Sequence, residues 1–138
     1  MQKDSTKLAE ICGIHAGDGY LRNDGKRTEL DISGSIEEQI YYDSYVIPLF
    51  SNFFETSITG RLFPARSTYG FVTYNKDIVK FMHETGFPYG TKTQTVEVPK
   101  FVLNSYNKEV KAVFLRGMLD TDGCINFISS WFVAGQSV

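Results

Sequence analysis

Ile11-Cys12-Gly13-Ile14-His15-Ala16-Gly17-Asp18-Gly19 and Leu115-Arg116-Gly117-Met118-Leu119-Asp120-Thr121-Asp122-Gly123 decide how this chain is read. The second stretch lies 104 positions after the first, Asp122 standing against Asp18. Glycine matches glycine at 13 and 117, and both copies close on Asp-Gly. Each copy also sets small residues four apart: Gly13 and Gly17 in the first, Gly117 and Thr121 in the second. Residues at i and i+4 share one helix face. Small side chains on such a face let two helices approach closely. Glycine within a helix costs about 1 kcal/mol against alanine, so two matched glycines imply a packing reason. Helices paired through these faces would set their C-terminal ends side by side and make Asp18 and Asp122 neighbours. Two carboxylates at close quarters repel unless a cation or proton lies between them. Oxygen-only ligands completed by substrate phosphates suit Mg2+, the arrangement used in metal-assisted phosphodiester hydrolysis.

The rest of the chain supplies a framework for the two copies. Leu8, Ile11, Cys12, Ile14 and His15 follow a helical period, predicting a helix over Lys7 to Ala16, with Ser5 or Thr6 as its cap. Asn23-Asp24-Gly25 is a turn signal within a hairpin from Tyr20 to Gly34, whose second strand points Leu30 and Ile32 one way and Glu29, Asp31 and Ser33 the other. A second helix is expected over Ile36 to Phe54, with Ile40, Tyr41, Tyr45, Pro48, Leu49 and Phe53 as its buried stripe and a break at Pro48. Two more strands flank Pro64-Ala65-Arg66-Ser67. A third helix over Lys76 to Thr85 closes at Gly86. Pro88, Gly90 and Pro99 make the following stretch irregular. Asn107 caps a last helix to about Thr121, striped by Val110, Val113, Phe114, Gly117, Met118 and Thr121. The order is helix, two strands, helix, two strands, helix, then a second copy beginning.

Composition narrows the class. Hydrophobic residues make up 42% and aromatics 14% of the 138 residues, enough for a core and against disorder. No apolar run approaches the roughly 20 residues needed to cross a membrane, and MQKDSTKLAE has no apolar region of a secretory signal. Cys12 and Cys124 form neither a disulfide framework nor a zinc pattern and read as buried thiols of a cytoplasmic protein. The net charge of −2 runs against a nucleic-acid binder. Its distribution softens the objection: Ser57 to Lys76 carries only Arg61, Arg66 and Lys76, whereas Glu37 to Glu55 carries only acids.

Both nonapeptides resemble the LAGLIDADG motif of homing endonucleases. Around them Asp18-Gly19-Tyr20-Leu21, Ile32-Ser33-Gly34, Tyr41-Tyr42, Val46-Ile47-Pro48-Leu49-Phe50, Gly90-Thr91-Lys92 and Val98-Pro99-Lys100-Phe101 resemble the two-motif, archaeal-type branch, over about residues 7 to 127. The resemblance implies an α+β fold, an αββαββα half-domain whose four-stranded antiparallel sheet forms a saddle along the DNA major groove. It further implies a site-specific, metal-dependent double-strand DNA endonuclease acting in intron or intein mobility. Asp18 and Asp122 would hold Mg2+ or Mn2+, and Lys92 would lie near the scissile phosphate. Arg22, Lys26, Arg27, Arg61 and Arg66, on or beside the sheet, become candidate contacts to double-stranded DNA, although exposed strands carry such residues for solubility as well. Relatives that keep the fold and lose cleavage, binding DNA or RNA as maturases or regulators, are the alternative.

Plainer readings exist for single residues. Either aspartate alone could be a helix-ending Asp-Gly turn. His15, matched with Leu119, reads as a core residue, and Asp120, matched with Ala16, as solvent-facing or as a helix-end interaction. An EF-hand fails at the second copy, because glycine falls at the fourth loop position and Trp131 at the twelfth. A phosphatase Asp-x-Asp-Gly nucleophile fails because Arg116-Gly117 interrupt the apolar run before it. The division expected is residues 1–106 as the first half-domain and 107–138 as the second motif helix with the start of a C-terminally truncated second half. The tail after Gly123 carries Cys124, Ile125, Phe127, Ile128, Trp131, Phe132 and Val133. Such apolar surface predicts self-association, most simply as a homodimer.

Overall fold

The structure, a computed structural model, describes residues 4–90 and 98–121. Helix α1 (Ser5–Asp18) is capped by Asp4, whose carboxylate accepts from the amides of Thr6 and Lys7. It therefore begins earlier than the expected cap, because the aspartate stands where it meets the free amides of the first turn. Every residue from Ala9 to Ala16 is buried, as fits a helix that touches sheet, α3 and α6 at once.

Strands β1 (Gly19–Asn23) and β2 (Thr28–Ser35) form the first hairpin. Asp24 closes its turn by accepting from the amides of Lys26 and Arg27 at 3.0 and 2.8 Å. Strands β3 (Arg61–Phe63) and β4 (Thr68–Thr73) form the second, around a 3-10 turn at Pro64–Arg66. The four antiparallel strands lie in the order β1-β2-β4-β3. Leu21, Leu30, Ile32, Tyr69 and Phe71 face the core, and the alternate residues face outward.

Between the hairpins the chain stays helical through a 3-10 turn (Ile36–Glu38), α2 (Gln39–Tyr41), a π segment (Tyr42–Val46) and α3 (Ile47–Phe54). Pro48 does not break it, contrary to the sequence expectation. Proline lacks an N–H and crowds the carbonyl four residues back. The wider π turn immediately before it relieves both, and the backbone remains helical at Val46 and Ile47. The extra residue of that turn also rotates the buried face. Tyr42, Val46, Ile47, Phe50 and Phe53 are inside, whereas Ile40, expected inside, is 81% exposed.

Helix α4 (Lys76–Thr85) ends on Gly86 at φ 138°. A short α5 (Lys100–Leu103) leads to α6 (Lys108–Thr121), where Asn107 accepts from the amide of Glu109 at 2.9 Å. Helix α1, strands β1 and β2, the helical stretch from Ile36 to Phe54, strands β3 and β4, and helix α4 give the αββαββα order, with a four-stranded antiparallel sheet, as the sequence predicts. Among the described residues no helix is long and apolar enough to cross a membrane. Cys12 is buried, and burial pushes its thiol up; Cys124 lies outside the described residues.

Candidate functional site

Helices α1 and α6 meet through backbone. A Cβ built on Gly13 would lie 2.2 Å from the Phe114 carbonyl oxygen and 3.0 Å from the Met118 amide. One built on Gly117 would lie 2.7 Å from the Glu10 carbonyl oxygen and 3.0 Å from the Ile14 amide. The two sets of neighbours correspond. Phe114 and Met118 occupy in the second copy the places of Glu10 and Ile14 in the first. The pair is thus related by a local two-fold passing between the two glycines. Gly17 is half-buried in the last turn of α1, and Thr121, the last described residue of α6, donates its hydroxyl to the Gly117 carbonyl at 2.8 Å.

A second contact pins the same helices. The buried Glu10 accepts from the Tyr45 hydroxyl at 2.5 Å and from Arg116 Nη2 at 3.0 Å. This joins α1, the π segment and α6. The bond to Glu10 raises the Arg116 guanidinium further above its usual value.

Both helices carry an acid in their last described turn. Asp18 closes α1, and Asp120 lies in the last described turn of α6. Negative charge is unfavourable at the negative end of a helix dipole. Asp18 is half-buried and accepts from the buried Tyr42 hydroxyl at 2.5 Å. Burial, then the neighbouring Asp18, pushes the Tyr42 phenol far up, so it remains a donor. Glu38 joins this corner: a Cβ on Gly34 would lie 2.7 Å from Asp18 Oδ2 and 3.1 Å from Glu38 Oε2. Burial first, then Asp120, raises the Glu38 carboxyl. Its Oε2 is buried and makes no hydrogen bond among the described residues, and the same holds for the Tyr41 hydroxyl.

The acids at the ends of the two helices therefore gather on one side of the pair. The corner offers oxygen donors and an excess of negative charge, which fits a hard divalent cation. No group of three or more His, Cys, Asp or Glu side chains is positioned to hold a metal among the described residues. Asp122 and Lys92 lie outside those residues. Sequence reasoning missed Glu38 and Tyr42. Glu38 read as one of several acids in a run, and Tyr42 lay off the expected buried stripe. His15 is buried, with its ring 4.2 Å from that of Phe87.

The candidate basic residues fall into two groups. Arg22, Lys26 and Arg27 belong to the β1–β2 hairpin, Lys26 and Arg27 in its exposed turn. Arg22 bonds Asp24 at 2.8 Å, and that carboxyl is held down to about 2, chiefly by the Arg27 and Lys26 amides and then by Arg22. Arg61 and Arg66 both place a guanidinium over the Phe63 ring, at 4.6 and 4.3 Å. Arg66 also bonds the buried Asp31 at 2.9 Å.

The chain has the homing-endonuclease half-domain fold. A structure of mesophilic variants from the homing endonuclease I-DmoI is similar with a TM-score of 0.61, over 94% of this chain and 73% of its own, at 14% identity. An I-DmoI variant in complex with its target DNA, nicked in the coding strand and in the presence of Mn, gives 0.56 over 85% of this chain and 61% of its own, at 16% identity. I-DmoI in complex with DNA and Ca gives 0.54 over 85% of this chain and 57% of its own, also at 16% identity. No protein-family profile matches the sequence, and no curated relative does.

Proposed function

We propose that this chain carries the core of a two-motif, archaeal-type LAGLIDADG homing endonuclease, a metal-dependent double-strand DNA endonuclease serving intron or intein mobility. The observation that carries the reading is the reciprocal contact of Gly13 and Gly117, which pairs the two motif helices with Asp18 at the end of α1. The likeness to structures of I-DmoI bound to DNA with Mn or Ca supports it.

In this reading Asp18 and Asp122 hold Mg2+ or Mn2+. A bound divalent ion lowers the pKa of water and neutralises charge on the leaving oxygen. Tyr42 orients the Asp18 carboxylate, as a hydrogen-bonded partner of a metal ligand does. Lys92 lies near the scissile phosphate. Arg22, Lys26, Arg27, Arg61 and Arg66 face the duplex from the outer side of the sheet and its turns. Self-association as a homodimer belongs to the same reading, supported by the exposed Ile36, Ile40 and Leu119.

Asp18→Asn and Asp122→Asn should each abolish cleavage of a target duplex in Mg2+ and leave the fold intact by circular dichroism. Cutting by both variants would remove the site assignment. A non-cleaving DNA- or RNA-binding protein of the same fold is the second reading. It would show tight, sequence-dependent binding with no cutting at any Mg2+ or Mn2+ concentration. Light scattering at micromolar concentration tests the dimer, and a 15.6 kDa particle counts against it.

A further inference from the structure

Asp31 lies on the outer face of β2, between Tyr20 on β1 and Val72 on β4. That is the face the proposed function turns toward DNA, and a carboxylate there repels phosphate. It is nevertheless only 6% exposed. Both its oxygens are engaged: Oδ1 accepts from Ser33 Oγ at 2.8 Å, and Oδ2 accepts from Arg66 Nη1 at 2.9 Å. Arg66 arrives from the turn at the end of β3, with 47% of its side chain exposed, and its guanidinium lies over the Phe63 ring. The ring takes a flat face of the guanidinium, and Asp31 takes Nη1. The edge formed by Nε and Nη2 is left, and it makes no hydrogen bond among the described residues. That edge presents two parallel N–H donors.

Charge separates the two uses such an arginine could have. A phosphate contact gains affinity by releasing counterions, in proportion to the positive charge brought to the duplex. Arg66 with the buried Asp31 brings none. A base contact gains from direction instead. Two parallel donors match the O6 and N7 acceptors of guanine in the major groove. We propose that Asp31 is a positioning residue that holds Arg66 to read a guanine edge, so that this pair sets sequence preference and not overall affinity. The proposal rests on the DNA-binding reading above. Arg22 contrasts with it. Its partner Asp24 is 44% exposed in its side chain, so water screens that pair and it opens readily for a phosphate.

The test is selection from a randomised duplex pool by the full chain in Ca2+, repeated with Asp31→Asn, Arg66→Lys and Arg66→Ala. The wild type should recover a motif with one position at which guanine is preferred by roughly 5- to 150-fold. Arg66→Lys and Arg66→Ala should erase that preference and leave the other positions unchanged. Asp31→Asn should weaken the same position, while total duplex affinity rises and the salt dependence steepens by roughly 0.9 in log–log slope. Arg66 stands on an exposed turn, so its variants remain informative even if Asp31→Asn fails to fold. A motif unchanged by all three variants, or a loss of affinity uniform across sequences, overturns the proposal alone. A wild type that binds no duplex overturns the DNA-binding reading and this inference with it.

Discussion

The Tyr42 hydroxyl donates to Asp18 Oδ2 over 2.5 Å and so ties the end of α1 to the π segment. The carboxylate closes a helix at its negative end, where a negative charge gains from a hydrogen-bond donor. Tyr42→Phe keeps the buried ring and removes the donor. The expected loss is about 1.5–3 kcal/mol of stability, the range for a hydrogen bond to a charged group. The proposed metal site should weaken roughly 10- to 100-fold in Mg2+ affinity, as when the partner of a metal ligand is removed. Denaturant titration reads the first and Mg2+ dependence of cleavage the second. Cleavage with unchanged Mg2+ dependence would show that Tyr42 serves the fold alone.

Gly13→Ala and Gly117→Ala should both destabilise the chain. In each case the new methyl meets a carbonyl oxygen, at 2.2 Å for Gly13 and 2.7 Å for Gly117. Backbone of a packed helix gives way less readily than a side-chain tip. Overpacking of this kind costs about 1–3 kcal/mol, and it outweighs the roughly 1 kcal/mol that alanine gains as a helix former. Gly13→Ala, with the closer contact, should be the worse of the two. Urea midpoints compare them, and a stabilised Gly13→Ala would mean that the helices do not meet at this face.

These contacts also show what the sequence made legible. The repeat at 13 and 117 carried the helix pair because close packing leaves a trace in residue size. The turn at Asp24-Gly25, the cap at Asn107 and the stop at Gly86 were legible because each is local chemistry. The buried face of Ile36 to Phe54 was not. A regular period of 3.6 put Ile40 and Tyr45 inside, and one π turn ahead of Pro48 moved the face to Tyr42 and Val46. Glu38 and Asp31 were illegible for another reason. An acid's role depends on what stands across from it, here Asp18 and Arg66, and both partners are distant in sequence.

The Glu38 carboxyl is raised above its usual 4.5, first by burial and then by Asp120. Between 4.5 and the raised value the folded chain holds more proton than the unfolded one. Stability therefore falls as pH rises through that window. Glu38→Gln removes the charge and keeps the shape. It should be more stable than the parent at neutral pH and lose that advantage below pH 4.5. Divalent cation should narrow the difference at neutral pH if it binds at this corner. Melting curves across pH, with and without Mg2+, supply the comparison, and a stability advantage over the parent no larger at pH 7 than at pH 4 would contradict the assignment.

Arg116 and Glu10 test whether the helix pair is held by charge as well as by glycine. Glu10 is 7% exposed in its side chain and Arg116 is 55% exposed, at 3.0 Å. Removing the arginine strands a buried carboxylate on the Tyr45 hydroxyl alone. Breaking a fully buried pair costs about 3–5 kcal/mol, but water reaches the guanidinium here, so Arg116→Ala should cost about 1–3 kcal/mol. Glu10→Gln keeps an acceptor for Tyr45 and carries no charge to strand. Adding it to Arg116→Ala should therefore recover part of the loss, and the double variant should be more stable than Arg116→Ala. A double-mutant cycle in urea measures the coupling, and additivity within about 0.5 kcal/mol would mean no interaction. Salt gives an independent check. A surface pair fades at 1 M NaCl, where the screening length falls to about 3 Å. The Glu10 end is shielded from solvent, so most of the coupling should survive there, and its disappearance would place the pair in open water.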